Sequence, residues 1–233
     1  MFYQLLFVLV PCLTLTGFLR ADEKPSPSAG KSIALLNGKD LDGWRVIEKY
    51  DFKQHGEVKI ADKAIVMEMG RPATGISWSG KDFPKMNYEV SLEAARLEGS
   101  DFFCGMTFPV GEAYLSFIVG GWGGGVVGMS NVDNLSAVEN QTTNYTEFKN
   151  GKWYAIRLRV TEERIEAWID DEKCVNLKTA KHKLSIWWEQ EPVRPFGFAA
   201  WRSKSGLRNI QLKHLDVANA GDTEIEKKGK GIR

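Results

Sequence analysis

The sequence predicts an all-β fold of antiparallel strands: a sandwich, a jelly roll or a barrel. Three observations predict it. Short segments alternate apolar and polar side chains with period two, as strands that bury one face do. Turn formers punctuate them, as in Asn37-Gly38 and Asp42-Gly43, or the Glu162-Glu163 pair between two alternating runs. No segment carries an apolar stripe lasting three helical turns, and Lys178–Leu184 has room for one short turn only. About a dozen strands and no long helix fit those architectures.

Bulk properties narrow the function classes. The 233 residues suffice for one large all-β domain, and 43% hydrophobic with 26% charged residues is the balance of an ordinary soluble globular chain. Lys and Arg number 31 against 30 Asp and Glu, a net charge of +1. The basic excess that non-specific nucleic-acid binding needs is missing, so no nucleic-acid partner is expected.

Residues 1–21 read as a secretory signal. The stretch 1–19 is apolar and uncharged, contains Pro11, and ends in small and polar residues with a plausible cleavage point near Ala21. An uncleaved N-terminal anchor is the alternative, because roughly 20 apolar residues can span a bilayer. The protein is therefore expected in the periplasm or outside the cell, or anchored, with membrane contact through this segment only. Residues 22–31 form a Pro/Ser linker, 32–217 the folded domain, and 218–233 a polar, Gly-rich tail read as disordered. Without the signal, Cys104 and Cys174 remain. Export permits a disulfide, whereas the apolar setting of Cys104 also fits a buried free thiol.

Within the domain, strands are expected at 33–36, 44–48, 57–60 and 64–69. In 87–97, Tyr88, Val90, Leu92 and Ala94 share one face, and Glu89, Ser91 and Glu93 the other. The runs 101–108 and 114–119 are mostly apolar. In 152–161, Tyr154, Ile156, Leu158 and Val160 oppose Trp153, Ala155, Arg157 and Arg159. In 164–170, Ile165, Ala167 and Ile169 oppose Glu166 and Trp168. The runs 195–201 and 206–215 close the domain.

The stretch from Gly120 to Asn140 stands apart. Glycine fills most of its first turn, and Trp122 stands alone among those glycines. Glycine lets a backbone turn sharply and approach a ligand closely. Asn131, Asp133, Asn134, Glu139 and Asn140 follow, so aromatic and hydrogen-bonding groups share one loop, as at many binding sites. The competing reading is a hairpin that only turns the chain, with Trp122 folded onto the core.

Two stretches at opposite ends carry a family resemblance. Leu35-Leu36-Asn37-Gly38-Lys39-Asp40-Leu41-Asp42-Gly43-Trp44 resembles the opening FNGKDLxGW of the 3-keto-disaccharide hydrolase family, also described as 3-keto-glycoside lyases/hydratases. Leu207-Arg208-Asn209-Ile210-Gln211-Leu212-Lys213-His214-Leu215 resembles its closing FRNIxIKxL, and Gly151-Lys152-Trp153-Tyr154 stands where GEWN is usual. The resemblance spans residues 33–215. It implies a concanavalin A-like lectin/glucanase type of jelly roll, two antiparallel sheets in one sandwich, with the terminal strands adjacent. It also implies a largely bacterial origin and action on oxidised sugars. A 3-keto group acidifies the C2 proton, a base removes it, the C1 substituent leaves, and water adds later; this needs a general base and an electrophile for the enolate. The middle departs from the family. Phe103-Cys104-Gly105 replaces the usual NSG, and YLSFIVG (114–120) replaces YExQxxD without its carboxylates. Fold inheritance is safer than activity inheritance.

Candidate site residues follow. Glu139, with Asp133, is the preferred catalytic carboxylate, and Trp122, Asn131, Asn134 and Asn140 are candidate substrate-binding residues from the same loop. On the polar faces of the alternating strands, Trp153 and Trp168 beside Arg157 could stack a sugar; the alternative is a solvated face of cross-strand ion pairs. Trp187-Trp188 and Trp201 either flank a groove or, in the favoured reading, plug the sandwich. Asn131-x-Asp133-Asn134 could hold a calcium ion, although it lacks the order of an EF-hand loop. No cofactor is otherwise expected. His55, His182 and His214 show no metal-ligand spacing, no G-x-S-x-G is present, and GGWGGG lacks the ending of a phosphate loop. The expected ligand is a carbohydrate. The expected function is 3-keto-glycoside cleavage, with a non-catalytic carbohydrate-binding module as the alternative.

Overall fold

The structure, a computed structural model, describes residues 30–216. The segment 1–21 read as a secretory signal, most of the linker and the tail from 218 lie outside the described residues. In chain order the strands are β1 (Ser32–Ala34), β2 (Trp44–Val46), β3 (Val58–Ala61), β4 (Ala64–Met67) and β5 (Ala73–Trp78). Next come β6 (Tyr88–Gly99), β7 (Cys104–Val110), β8 (Ala113–Gly121), β9 (Val126–Ser130) and β10 (Asn144–Tyr145). The last are β11 (Trp153–Val160), β12 (Arg164–Ile169), β13 (Glu172–Lys178), β14 (Gly197–Trp201) and β15 (Ser203–His214).

They form two antiparallel sheets packed face to face. One runs β13-β12-β11-β6-β15-β4-β3, with β1 on the second half of β15; the other runs β10-β9-β8-β7-β14-β5-β2. This is the jelly-roll sandwich that the sequence implied. The core between the sheets is aromatic and dense, with Tyr88, Phe103, Phe108, Phe117, Phe196 and Phe198 fully buried.

The two sheets are patterned differently, and that difference positions the site. In the first, β6 and β11 alternate as read from the sequence: Tyr88, Val90 and Leu92, and Tyr154, Ile156 and Leu158, are buried. Their other faces carry ion pairs in contact with water. In the second, β7 and β9 are buried along their whole length. Cys104, Met106 and Phe108 pair with Val119, Phe117 and Leu115 on the core side. Gly105, Thr107, Ser116 and Ile118 lie on the opposite face, which loops cover. Phe52 and Val193 pack there with Phe102 and Trp201, and Ile118 packs with Val126 and Ala137.

Four strands, β5, β9, β10 and β13, were not expected. β5 and β9 are covered on both faces and so lack an alternating pattern, and each has a glycine near its centre. Gly75 of β5 lies under Phe52, and a Cβ there would stand 2.6 Å from the phenyl ring. β9 lies inside the glycine-dense stretch read as loop. The expected turn at Lys178–Leu184 is a single 3-10 turn at Thr179–Lys181.

The terminal motifs are structural. Asn37 Oδ1 accepts the backbone N–H groups of Lys39 (2.7 Å) and Asp40 (3.1 Å), and its Nδ2 donates to Asp40 Oδ1 (2.7 Å). Gly43 has φ +79°, and any Cβ there would lie 2.7 Å from the Trp78 ring. The Trp44 indole donates to Leu35 O (2.9 Å) and packs against Trp78, Phe196 and Phe198. Leu35 N–H in turn bonds Ile210 O, which fastens the opening motif to the closing one.

Cys104 and Cys174 are both free. Burial pushes each thiol up to about 12. The unfolded thiol titrates near 8.5, so at pH 8 the folded chain keeps only about one thiolate in ten thousand at these sites. Iodoacetamide at pH 8 is therefore expected to label neither residue in the native protein and both in denaturant, as read by peptide mass mapping.

Candidate functional site

A cleft of about 410 Å³ opens on the outer face of the second sheet. Ser116 and Ile118 of β8 and Ser130 of β9 form its floor. Trp122 comes from the tip of the β8–β9 hairpin, Trp187, Glu189 and Gln190 from the segment before β14, and Asp101, Phe102 and Trp201 from the remaining edge.

Glycine and one buried arginine shape the hairpin tip. Trp122 (φ +48°), Gly123 (φ +88°) and Gly124 (φ +109°) turn the chain through the left-handed region. Arg96, buried beneath, donates from its guanidinium to Gly124 O (3.1 Å) and Phe148 O (2.7 Å), and from Nε to Asn150 Oδ1 (2.7 Å). A Cβ at Gly124 would stand 2.7 Å from that guanidinium. The tip is thus held with Trp122 47% exposed.

A second lock positions the opposite wall. Asn131 and Ser185 exchange backbone bonds at 2.6 and 3.1 Å, and Val132 bridges Leu184. These contacts tie the chain before Trp187 to the end of β9. A 3-10 turn, Trp188–Val193, follows, with Val193 packed on the sheet and Gln190 N–H bonded to Trp187 O (2.9 Å). Asp101 is bracketed by Ser203, whose hydroxyl accepts from Asp101 N (3.0 Å) and donates to Asp101 O (2.9 Å).

Among the described residues, three buried side-chain oxygens lack a hydrogen-bond partner. Two of them, Glu189 Oε2 and Gln190 Oε1, belong to adjacent residues of this cleft. Gln190 is only 6% exposed. An unmade bond on a buried acceptor costs about 1–3 kcal/mol, so native proteins keep few without a reason. Both residues line the cleft, and these two oxygens are shielded from solvent beside it. None of the lining residues is Lys, Arg or His.

Of the residues nominated from sequence, Trp122 lines this cleft. Asn131 supports it from behind, where its Oδ1 accepts the Ser130 hydroxyl (2.8 Å). Glu139 is exposed outside the cleft and accepts the Ser136 hydroxyl (2.7 Å). Asp133 is also exposed; its carboxylate binds His182 Nδ1 (2.7 Å) and Lys183 N–H (2.9 Å), which hold it below the usual carboxylate range. Both its oxygens are engaged, and no group of three His, Cys, Asp or Glu able to hold a metal occurs among the described residues. Asn134 is an exposed turn residue with φ +66°.

Asn140 is buried, and its bonds are internal. Nδ2 donates to Met129 O (2.8 Å), Leu135 O (3.1 Å) and Ser136 O (2.8 Å), and Oδ1 accepts from Thr142 N (2.9 Å) and Oγ1 (2.6 Å). It knots the chain that follows β9. Asn140→Ala is expected to cost about 2–4 kcal/mol, measured by chemical denaturation, because it orphans several buried groups at once.

Trp153, Trp168 and Arg157 lie on the outer face of the first sheet, away from the cleft. Arg157 covers the Trp168 ring at 3.7 Å and pairs with Glu89, and Arg208 covers Trp153 at 4.1 Å. The indole faces that would stack a sugar already carry cations. Trp187 and Trp201, favoured from sequence as plugs, instead line the cleft. Sequence reasoning did not nominate Glu189, Gln190, Asp101, Ser116 or Ser130. The one local signal was the composition of Trp187-Trp188-Glu189-Gln190, two indoles beside an acid and an amide.

A family model for the 3-keto-alpha-glucoside-1,2-lyase-like domain matches residues 31–213. The chain belongs to this family. Membership places it among carbohydrate-active proteins. No curated protein matches the sequence. Among solved structures, the chain resembles SCLam, a non-specific endo-beta-1,3(4)-glucanase of family GH16, with 9% identity and TM-score 0.52, over 81% of this chain and 91% of that one. It also resembles domain 4 of AbnA, a GH43 arabinanase from Geobacillus stearothermophilus, in complex with arabinotriose: 12% identity, TM-score 0.52, 80% and 94% coverage. A third is the carbohydrate-binding module CBM66 from Bacillus subtilis, with 12% identity, TM-score 0.50, and 73% and 95% coverage. At these identities the likeness concerns the fold, and it extends this family's domain to the sandwich seen in both enzymes and binding modules.

Proposed function

We propose that this protein is an exported enzyme that cleaves 3-keto-glycosides, with Glu189 as the base that removes the C2 proton. The observation that carries the reading is the pair of unpartnered acceptors, Glu189 Oε2 and Gln190 Oε1, in a tryptophan-lined cleft of a domain of this family. The carboxylate takes the proton acidified by the neighbouring 3-oxo group. The electron pair forms the C1=C2 bond as the C1–O bond breaks, and the protonated Glu189 passes that proton to the departing oxygen. Water then adds at C1 and gives its other proton to C2 through Glu189, so the sum is hydrolysis. Hydroxyl and amide donors in the cleft, Ser116 and Gln190, stabilise the enolate oxygen. Export rests on the apolar segment 1–21.

The test is incubation with 3-keto-glucosides. Aglycone release by the wild-type protein is expected. Glu139→Gln is expected to stay within about threefold of wild type, since an exposed surface acid contributes little to a reaction elsewhere. A second reading, a non-catalytic carbohydrate-binding module, draws on the three indoles of the cleft. Sugar binding without release from any 3-keto-glucoside would favour it.

A further inference from the structure

We propose that the Trp187–Trp188–Tyr50 edge of the cleft is a leaving-group subsite, which accepts an uncharged ring with a flat apolar face and rejects an anionic one. The proposal rests on the reading of the cleft as a glycoside site. Trp187, Trp188 and Tyr50 are 46%, 58% and 50% exposed. Apart from Trp122 in the cleft itself, the other indoles of the described residues are buried or partly covered, so these large rings left half in water stand out. Among the described residues, the cation–π contacts involve Trp153 and Trp168 but neither Trp187 nor Trp188. These rings are open to a ligand.

They are also held in place. Tyr50 meets Trp188 edge to face, centroids 5.3 Å apart at 81°. Each belongs to a 3-10 turn anchored on the same patch of the second sheet: Tyr50–Phe52 through Phe52, and Trp188–Val193 through Val193. The edge is therefore a fixed surface. It adjoins the cleft through Trp187, which lines it; Trp188 and Tyr50 stand outside the lining, at the rim beyond Trp187. A sugar ring bound at Glu189 extends its C1 substituent along this edge. Stacking there favours an aryl or glycosyl group over a methyl group. The charge of the cleft sets the second preference. Asp101 and Glu189 are its charged residues, so an anionic leaving group meets like charge in a partly dehydrated site.

The test is calorimetric binding of unoxidised methyl, phenyl, 4-carboxyphenyl and glucosyl α-glucosides to the wild-type chain and to Trp188→Ala. Phenyl or glucosyl glucoside is expected to bind about tenfold more tightly than methyl glucoside, the gain of one good ring contact. The 4-carboxyphenyl compound is expected to lose that gain, and Trp188→Ala to bring the ratio of phenyl to methyl affinity within twofold. Tighter phenyl binding alone assigns the subsite to aryl groups, tighter glucosyl binding alone to sugars, and both to either ring. Equal binding of methyl, phenyl and glucosyl compounds, no detectable binding of any, an unchanged ratio in Trp188→Ala, or equal binding of the carboxylated ring would overturn the proposal. Ring-selective binding lost in Trp188→Ala, without cleavage of any 3-keto-glycoside, would retain the subsite and remove the catalytic reading. Cleavage indifferent to the leaving group would do the reverse.

Discussion

Glu189→Gln is expected to lower kcat/KM for 3-keto-glucoside cleavage by about 10²–10⁴, the usual contribution of a positioned general base. The amide keeps the size of the side chain and its place in the Trp188–Val193 turn, but it cannot take a proton. Glu189 Oε2 has no internal hydrogen-bond partner, so removing its charge breaks no bond at that atom. The midpoint of unfolding is therefore expected to stay unchanged or rise slightly, which separates a chemical effect from misfolding. Binding of the ketone should persist, so the loss should fall on kcat rather than KM. A decrease smaller than about tenfold would assign the proton transfer to another group.

Trp44→Ala is expected to destabilise the domain by about 3–5 kcal/mol, the range for truncating a buried aromatic ring. Trp44 touches Trp78, Phe196 and Phe198 and donates its indole N–H to Leu35 O, so the substitution leaves a cavity and a carbonyl without its partner. For a domain of this size such a loss lowers Tm by roughly 10 °C. Urea unfolding of the two proteins at one temperature measures it. A cost below about 1 kcal/mol would mean that the opening motif does not close the sandwich.

Legibility in the sequence followed the range of the interactions. The first sheet could be read because β6 and β11 turn their outer face to water and display their alternation locally, and β12 keeps the same alternation although cationic side chains cover its Trp168. The terminal pairing was implied by two motifs, and their residues prove to be turn and packing elements: Asn37 builds the turn, and Trp44 seals it. β5 and β9 were hidden because loops cover the outer face of the second sheet, and a strand covered on both sides shows no alternation of apolar and polar residues.

The site was legible only at Trp122, whose isolation among glycines is a local feature. Glu189 and Gln190 occupy a short 3-10 turn without periodicity, and they reach the cleft because Asn131 and Ser185, distant in sequence, exchange backbone bonds. Glu139 and Asn140 drew attention by their proximity to Trp122 in sequence. The β9 strand and the turn after it separate them from it: one is surface-exposed, the other part of the knot behind the strand.

The most direct measurement is proton exchange at C2 of a 3-keto sugar that has no exocyclic leaving group at C1, the 3-ketone of 1,5-anhydroglucitol, followed by NMR in D₂O. The sugar has no glycosidic bond to cleave, so exchange reports proton abstraction apart from aglycone departure. Loss of the C2 signal with wild-type protein, with the C4 proton retained and no exchange with Glu189→Gln, is the expected result. Retention of the C2 proton with wild-type protein, or its loss at an unchanged rate with Glu189→Gln, would contradict the assignment of Glu189 as the base.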